Sequence, residues 1–196
     1  MPYSPACEKN KRPILAVLIQ LLNTPGKILE IGTGTGQHAV YFAEAMPHLI
    51  WQPSDRPAAF ETSWARVQAA NLSNLRAPLP LDVTQSRWPV TEANAVYSAN
   101  TAHIMAWPEV TAMFAGVARL LAPGEPFCLY GPFHYRGQAT SASNHDFDRQ
   151  LRASDPAMGI RDLDDLEPLA DSQGLTLKGD IAMPANNRML IWRAAS

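Results

Sequence analysis

Apolar residues along this chain follow two rhythms: short continuous runs, and longer stretches that repeat every three to four residues. The first kind reads as buried strand and the second as amphipathic helix. Ile14, Val17, Leu18, Leu21 and Leu22 sit at helical spacing, and Pro13 suits a first helical turn, so a helix is expected over residues 14–22. A strand follows at Lys27–Ile31, then a helix over Gln37–Met46 closed by Pro47. Leu49–Gln52 reads as a second strand ending at Pro53-Ser54-Asp55, and Ala58–Asn71 as a helix with Phe60, Trp64 and Val67 on one face. Ala77–Leu81 reads as a third strand ending at Asp82, and Ala93–Ala99 as a fourth ending before Asn100.

Pro108 then opens a helix whose stripe is Val110, Met113, Phe114, Val117, Leu120 and Leu121, stopped by Ala122-Pro123-Gly124. Pro126–Tyr130 is a fifth strand. Residues 131–161 are polar and break the alternation; only a short helix around Phe147–Leu151 is expected there. A helix over Leu163–Gln173 carries acids in its first turn and Gly174 at its end. Leu175–Met183 and Arg188–Arg193, joined by Pro184-Ala185-Asn186-Asn187, read as a hairpin. Strands with helical crossovers predict one α/β domain over residues 1–196, in three layers, with a mostly parallel sheet closed by an antiparallel hairpin.

Composition narrows the function classes. The 196 residues carry a net charge of −2 with a pI near 6.2, so no global basic field draws the chain to nucleic acid. Cys7 and Cys128 match no metal spacing, which predicts no metal site and a reduced, cytoplasmic protein. Lys9, Lys11 and Arg12 before the run at 14–22 mimic a signal peptide, but no small-residue cleavage site follows. That run is too short to span a bilayer, so no membrane partner is expected. The oligomeric state stays open.

The chemistry concentrates in Leu29-Glu30-Ile31-Gly32-Thr33-Gly34-Thr35-Gly36, where a strand runs into glycines and then a helix. Glycine is needed where backbone turns tightly against a ligand, and the helix start offers amides and a positive dipole end to it. A dinucleotide fingerprint would read G-x-G-x-x-G; here the spacing is G-x-G-x-G. Glu30 would repel a pyrophosphate and suits a cationic ligand, such as the sulfonium and ammonium of S-adenosylmethionine. Plainer readings stand beside this one. Glu30 could pair with Lys11 or Arg12 or serve a helix N-terminus, Asp55 could serve an NAD site, and Asp82 could cap a turn.

The glycine string resembles motif I of the class I S-adenosylmethionine-dependent methyltransferases. That resemblance implies a Rossmann-like fold with a mostly parallel seven-stranded sheet, a C-terminal antiparallel hairpin and helices on both faces. It implies S-adenosylmethionine as cofactor and S-adenosylhomocysteine as product. Cofactor contacts are expected from Glu30, Gly32, Thr33, Gly34, Gly36 and His38, with Asp55 on the ribose and Asp82 and Val83 at the adenine. Asn100, Glu8 and Asn10 complete the expected set. A narrower resemblance, to the DUF938 family with its human relative methyltransferase-like protein 26, rests on residues 4–11, Gln52-Pro53-Ser54-Asp55, Tyr130-Gly131-Pro132-Phe133, Ser143-Asn144 and Phe147-Asp148. Cys7 departs from it, since alanine is expected there.

Methyl transfer is an in-line displacement that chiefly needs the acceptor held in line, with a base only for a protonated acceptor. His103, after the fourth strand, is the candidate base or acceptor-orienting group; the alternative is a helix-start histidine bonded to backbone. Ser98-Ala99-Asn100-Thr101 lacks the Asn-Pro-Pro-Tyr type of motif used on DNA bases, which again points to a small-molecule acceptor. Residues 131–161 are expected to form an acceptor-side lid, with His134, Tyr135, Arg136 and Asn144 as substrate contacts, and Asp148 nearby; equally, several could only solvate a loop. Residues 1–25 are expected to supply a cofactor-covering segment and helix, Tyr3–Asn10 excluding water. Three functions compete: a small-molecule methyltransferase, a cofactor-binding sensor or partner without turnover, and an NAD-dependent oxidoreductase, for which no Tyr-x-x-x-Lys exists.

Overall fold

In the computed structural model, which describes residues 1–195, the first helix starts well before the apolar repeat does. Helix α1 spans Pro5–Leu21: Ser4 caps it by accepting the Cys7 amide at 3.3 Å, and Pro5 occupies the first turn. The expectation of a start near residue 14 is corrected. Pro13 lies inside the helix, and Asn10, Ile14 and Leu18 form one buried stripe whose first member is polar and so invisible to an apolar count.

Strand β1 (Gly26–Ile31) leads through the glycine loop into α2 (Gln37–Ala45) and on to β2 (Leu49–Asp55). The helix expected over 58–71 begins as a 3-10 turn, Phe60–Ser63, and becomes α3 only at Trp64–Ala70. Its expected apolar face shrinks to Val67, since Trp64 is exposed and Phe60 half-buried. Strand β3 (Leu79–Pro80) reaches β4 (Ala95–Ala99) through residues 81–94 without a helix.

The chain then forms α4 (Trp107–Leu120), β5 (Pro126–Gly131), β6 (Phe133–Tyr135), β7 (Gln138–Ala139), α5 (Ala142–Ser154) and β8 (Arg161–Asp162). It closes with α6 (Leu163–Ser172), β9 (Leu175–Met183) and β10 (Asn187–Ala194). Residues 131–161 are therefore more structured than expected. Strand β6 pairs antiparallel with β7 and parallel with β8, turning through Arg136 and Gly137, both at positive φ. Helix α5 begins at Ala142 because Ser141 accepts the Asn144 amide at 3.1 Å.

The main sheet has seven strands in the order β3-β2-β1-β4-β5-β10-β9. β1 runs parallel to β2 and β4, and β10 lies antiparallel to β5 and β9, so the sheet is mostly parallel with the expected terminal hairpin. Residues Met1–Ser98 and Ala99–Ser196 form two compact units. In the first, Phe42, Trp51 and Tyr97 are fully buried, with Phe42 5.5 Å from each of the other two ring centres. In the second, Phe114 stands edge-on to Phe127 and Trp192 at 5.3 and 5.1 Å. Among the described residues no helix is long and apolar enough to cross a membrane.

Candidate functional site

The turn out of β1 is built on left-handed backbone, with φ of 77° at Gly32, 55° at Gly34 and 75° at Gly36. The amides of Gly32 and Thr33 both donate to the Ser54 carbonyl of β2 at 2.9 Å. This brings the end of β2 against the loop. Asp55 accepts the Gly34 amide on Oδ2 and the Arg56 amide on Oδ1, each at 2.8 Å. A Cβ at Gly36 would lie 2.9 Å from Ser63 Cβ, whereas one at Gly34 would meet nothing within 4 Å. The loop is packed from one side at Gly36 and open above Gly34. No side chain caps α2, so its first-turn amides keep their capacity for an acceptor.

Glu30 lies under this loop. The sequence reading aimed its carboxylate at a ligand, with Lys11 or Arg12 as the alternative partner; neither arrangement is found. The residue is 1% exposed, and its Oε2 accepts from Trp51 Nε1 at 2.9 Å and Thr33 Oγ1 at 3.1 Å. Lys11 pairs instead with Glu8 and stands over the Tyr41 ring. Burial pushes the Glu30 carboxyl up to about 7, and its two hydrogen bonds do not offset that.

Four further residues expected at the cofactor have partners within the chain. Asn10 and His38 are buried and bind each other: Nε2 of His38 lies 2.7 Å from Asn10 Oδ1, and Tyr97 Oη lies 3.2 Å from Nδ1. Burial lowers the His38 pKa to about 4, so the ring is neutral. Glu8 is exposed and spent on Lys11, which holds its carboxyl below the usual range. Asp82 accepts the amide and hydroxyl of Thr84 at 2.9 and 2.7 Å, the turn-capping arrangement, with Val83 buried beside it.

On the acceptor side, Asn100 takes a left-handed conformation with φ of 57° and donates its amide to Tyr130 O. His103 sits in the turn before α4 and is not a helix-start residue. It is buried, its carbonyl accepts the Gly159 amide at 2.9 Å, and its ring stands edge-on to Phe147 at 5.3 Å. Burial, then the Arg161 charge, lowers its pKa to about 4. The expected substrate residues have the following surroundings. Tyr135 donates to Asp180, which also binds Arg188; Arg136 is exposed at the β6–β7 turn; Asn144 donates to Thr140 Oγ1 and Asn186 O. His134 keeps a buried Nε2 without a hydrogen-bond partner.

Sequence reasoning missed the residues that hold the site. Gln37 bonds reciprocally to the backbone of Ser4, accepting its amide at 2.6 Å and donating to its carbonyl at 3.3 Å. Arg66 ties Thr35 O in the loop to Pro2 O. The segment 2–10 thus lies against the loop and the start of α2. Arg161 binds the carbonyls of Ala102, Met105 and Ala157. Only Gln37 carried a signal, as the residue following the third glycine. Among the described residues no group of three or more His, Cys, Asp and Glu could hold a metal ion.

Two stability predictions follow from the loop. Gly36→Ala adds left-handed strain of ~1–2 kcal/mol to a contact that must displace Ser63. It should lower urea-measured stability more than Gly34→Ala, which carries the strain alone. Glu30 titrates near 7 when folded and near 4.5 when unfolded, so its contribution is fully present below pH 4.5 and lost as pH rises through 7. Glu30→Gln, which cannot ionise, should gain stability over the parent between pH 5 and 8.5, by ~3 kcal/mol, in paired urea melts.

The family described as "Protein of unknown function (DUF938)" matches residues 1–194. Among solved structures, the chain is similar to an O-methyltransferase family protein from Burkholderia thailandensis, with a TM-score of 0.82 and 16% identity over 95% of this chain and 56% of that one. It is also similar to human N-acetylserotonin methyltransferase in complex with SAM, at 0.78 and 16%, covering 97% and 53%. An O-methyltransferase family 2 protein from Planctomyces limnophilus in complex with apigenin gives 0.80 and 13%, covering 95% and 56%. The chain spans little more than half the length of these structures, and the likeness is one of fold. The match across nearly its whole length shows that this chain belongs to the DUF938 family.

Proposed function

We propose that the chain is an S-adenosylmethionine-dependent methyltransferase acting on a small-molecule acceptor. The observation that carries this is the left-handed glycine loop, open above Gly34, with Asp55 hydrogen-bonded to the Gly34 amide and an uncapped α2 behind it. These residues fit an adenosyl ligand: Asp55 offers a carboxylate to ribose hydroxyls, and the loop amides approach with no Cβ in the way. Glu30 acts from beneath, fixing Thr33, and adds negative potential when ionised. The bound cofactor would supply a methyl group on a sulfonium, already activated toward a nucleophile. The chain's part is then positioning, and His103, neutral at physiological pH, is able to accept a hydrogen bond from the acceptor and orient it. Kinship with methyltransferase-like protein 26, a single functional domain and a cytoplasmic setting belong to this same reading.

The structural neighbours support it, since those named above are methyltransferases and one is in complex with SAM. A cofactor-binding protein without turnover shares the same loop and differs only on the acceptor side. An NAD-dependent oxidoreductase is disfavoured by the Glu30 carboxyl buried under the loop, which opposes a pyrophosphate when ionised.

Thermal-shift measurement separates the S-adenosylmethionine readings from the NAD one. S-adenosylhomocysteine should raise the melting temperature and NAD should not; the reverse rejects the proposal. Asp55→Ala should weaken S-adenosylhomocysteine by at least tenfold, ~1.4 kcal/mol, in titration calorimetry. Unchanged affinity removes Asp55 from the site.

A further inference from the structure

We propose that Arg161 is the positioning residue for His103: its guanidinium clamps the turn that carries the candidate base, and so couples the segment 157–161 to the acceptor side. The inference rests on the reading of His103 as the acceptor-side group.

The geometry is specific to an arginine. Nε donates to Ala102 O at 3.0 Å, and Nη2 donates to Met105 O and, at 2.9 Å, to Ala157 O. The two carbonyls in the turn flank His103 on either side, so the fork fixes the backbone on both sides of that residue. The third lies outside the turn, in the segment leading to β8. A second tie runs the same way, from the Gly159 amide to the carbonyl of His103 itself at 2.9 Å. The guanidinium also faces the Trp107 ring, 6.0 Å away, at the first position of α4. One planar group therefore joins the turn, the start of α4 and the strand β8.

The turn needs such a clamp because it has little else. Residues 101–105 form a turn closed by Ile104 N and Met105 N on Thr101 O. Helix α4 starts only at Trp107, and the Ala102 and Met105 carbonyls fall outside its ladder. Buried carbonyls without donors are costly, and a charged donor satisfies two of them together. The cation serves a second purpose. It stands close enough to His103 to disfavour imidazolium, which keeps the ring a neutral hydrogen-bond acceptor that can orient a protonated acceptor. Asp148 and Arg152 of α5 act on Arg161 with opposite signs, and Asp148 is itself bound to Arg152 and to the Ile160 amide at 2.9 and 2.7 Å.

Lysine keeps the charge but cannot span three carbonyls, so the two functions can be parted. The experiment follows the His103 ring by proton–carbon NMR from pH 4.5 to 8, in the parent, Arg161→Lys and Arg161→Gln. His103→Gln assigns the signal, and diethylpyrocarbonate labelling is run in parallel. The parent ring should stay neutral above pH 5 and label slowly. In Arg161→Lys the ring should titrate above pH 6 and label about tenfold faster, while S-adenosylhomocysteine affinity stays within twofold. A Lys variant that matches the parent in both readouts overturns the clamp, because charge alone then suffices. A role in stability alone would lower the melting temperature and leave the ring's titration and labelling where they were, which also overturns it. Should neither variant fold, the parent decides: the Arg161 Nε–H must exchange more slowly than the exposed arginines, and fast exchange overturns the proposal. Neither the ring titration nor the labelling requires a cofactor or an acceptor. Failure of the clamp is thus distinct from failure of the methyltransferase reading, which the S-adenosylhomocysteine measurement reports.

Discussion

The left-handed backbone between β1 and α2 is the constraint on which the first half of the molecule depends. Two successive amides can reach one carbonyl, Ser54 O, only because the chain reverses at Gly32. That reversal anchors the loop to the end of β2 and sets Asp55 beside the Gly34 amide. At Gly36 the same freedom lets α2 begin in contact with Ser63, where a Cβ would collide. A single non-glycine residue at Gly36 would therefore strain the loop, displace the 3-10 turn that carries Ser63 and shift the start of α2.

Glu30 turns this loop into part of a larger polar and aromatic connection. An ionised carboxylate in a buried site is expensive, and two donors on one oxygen only partly offset the loss of water. The group responds by holding its proton to near neutral pH. One of the donors, Trp51, belongs to the aromatic cluster with Phe42 and Tyr97. Tyr97 meets His38, and His38 meets Asn10 in α1. The loop is thus linked through side chains to the N-terminal helix. Gln37 and Arg66 make the same connection over the surface, through Ser4 and Pro2. A change in the charge of Glu30 acts on Trp51 and Thr33 directly, and through Trp51 on that whole connection.

What the sequence disclosed follows what local chemistry encodes. The glycine loop, the strands around it and the closing hairpin are all legible, because positive φ, apolar runs and turn residues are written in the residues themselves. The N-terminal helix was half legible. Its first turns are polar, and the Ser4-Pro5 start carries weight only once an interior Pro13 is accepted. The direction of Glu30 was not legible at all. Its spacing suited an outward carboxylate, and only the partner Trp51, on another strand, reveals that it turns inward. Residues 131–161 were read as a loop because β6, β7 and β8 are too short to produce a period, and their pairing is non-local. The fold was readable from period and punctuation; the roles of polar side chains depended on tertiary partners.

The commitments of those polar residues bear on how an acceptor is recognised. Tyr135, Asn144 and Asp148 looked like substrate contacts on polarity alone, and each spends its hydrogen-bonding capacity within the chain. A residue already bonded to Asp180 or to a backbone carbonyl can turn to a ligand only by leaving a buried partner unsatisfied. Under the proposed function, recognition in this half would fall to the groups not so engaged. Phe147 is 37% exposed and lies against the His103 ring. The ring itself is neutral and makes no hydrogen bond among the described residues. On that reading, the exposed Phe147 ring beside a neutral imidazole would favour a ligand with an apolar body and a hydrogen bond to give, and the ties from Arg161 and Gly159 would contribute by keeping the turn rigid.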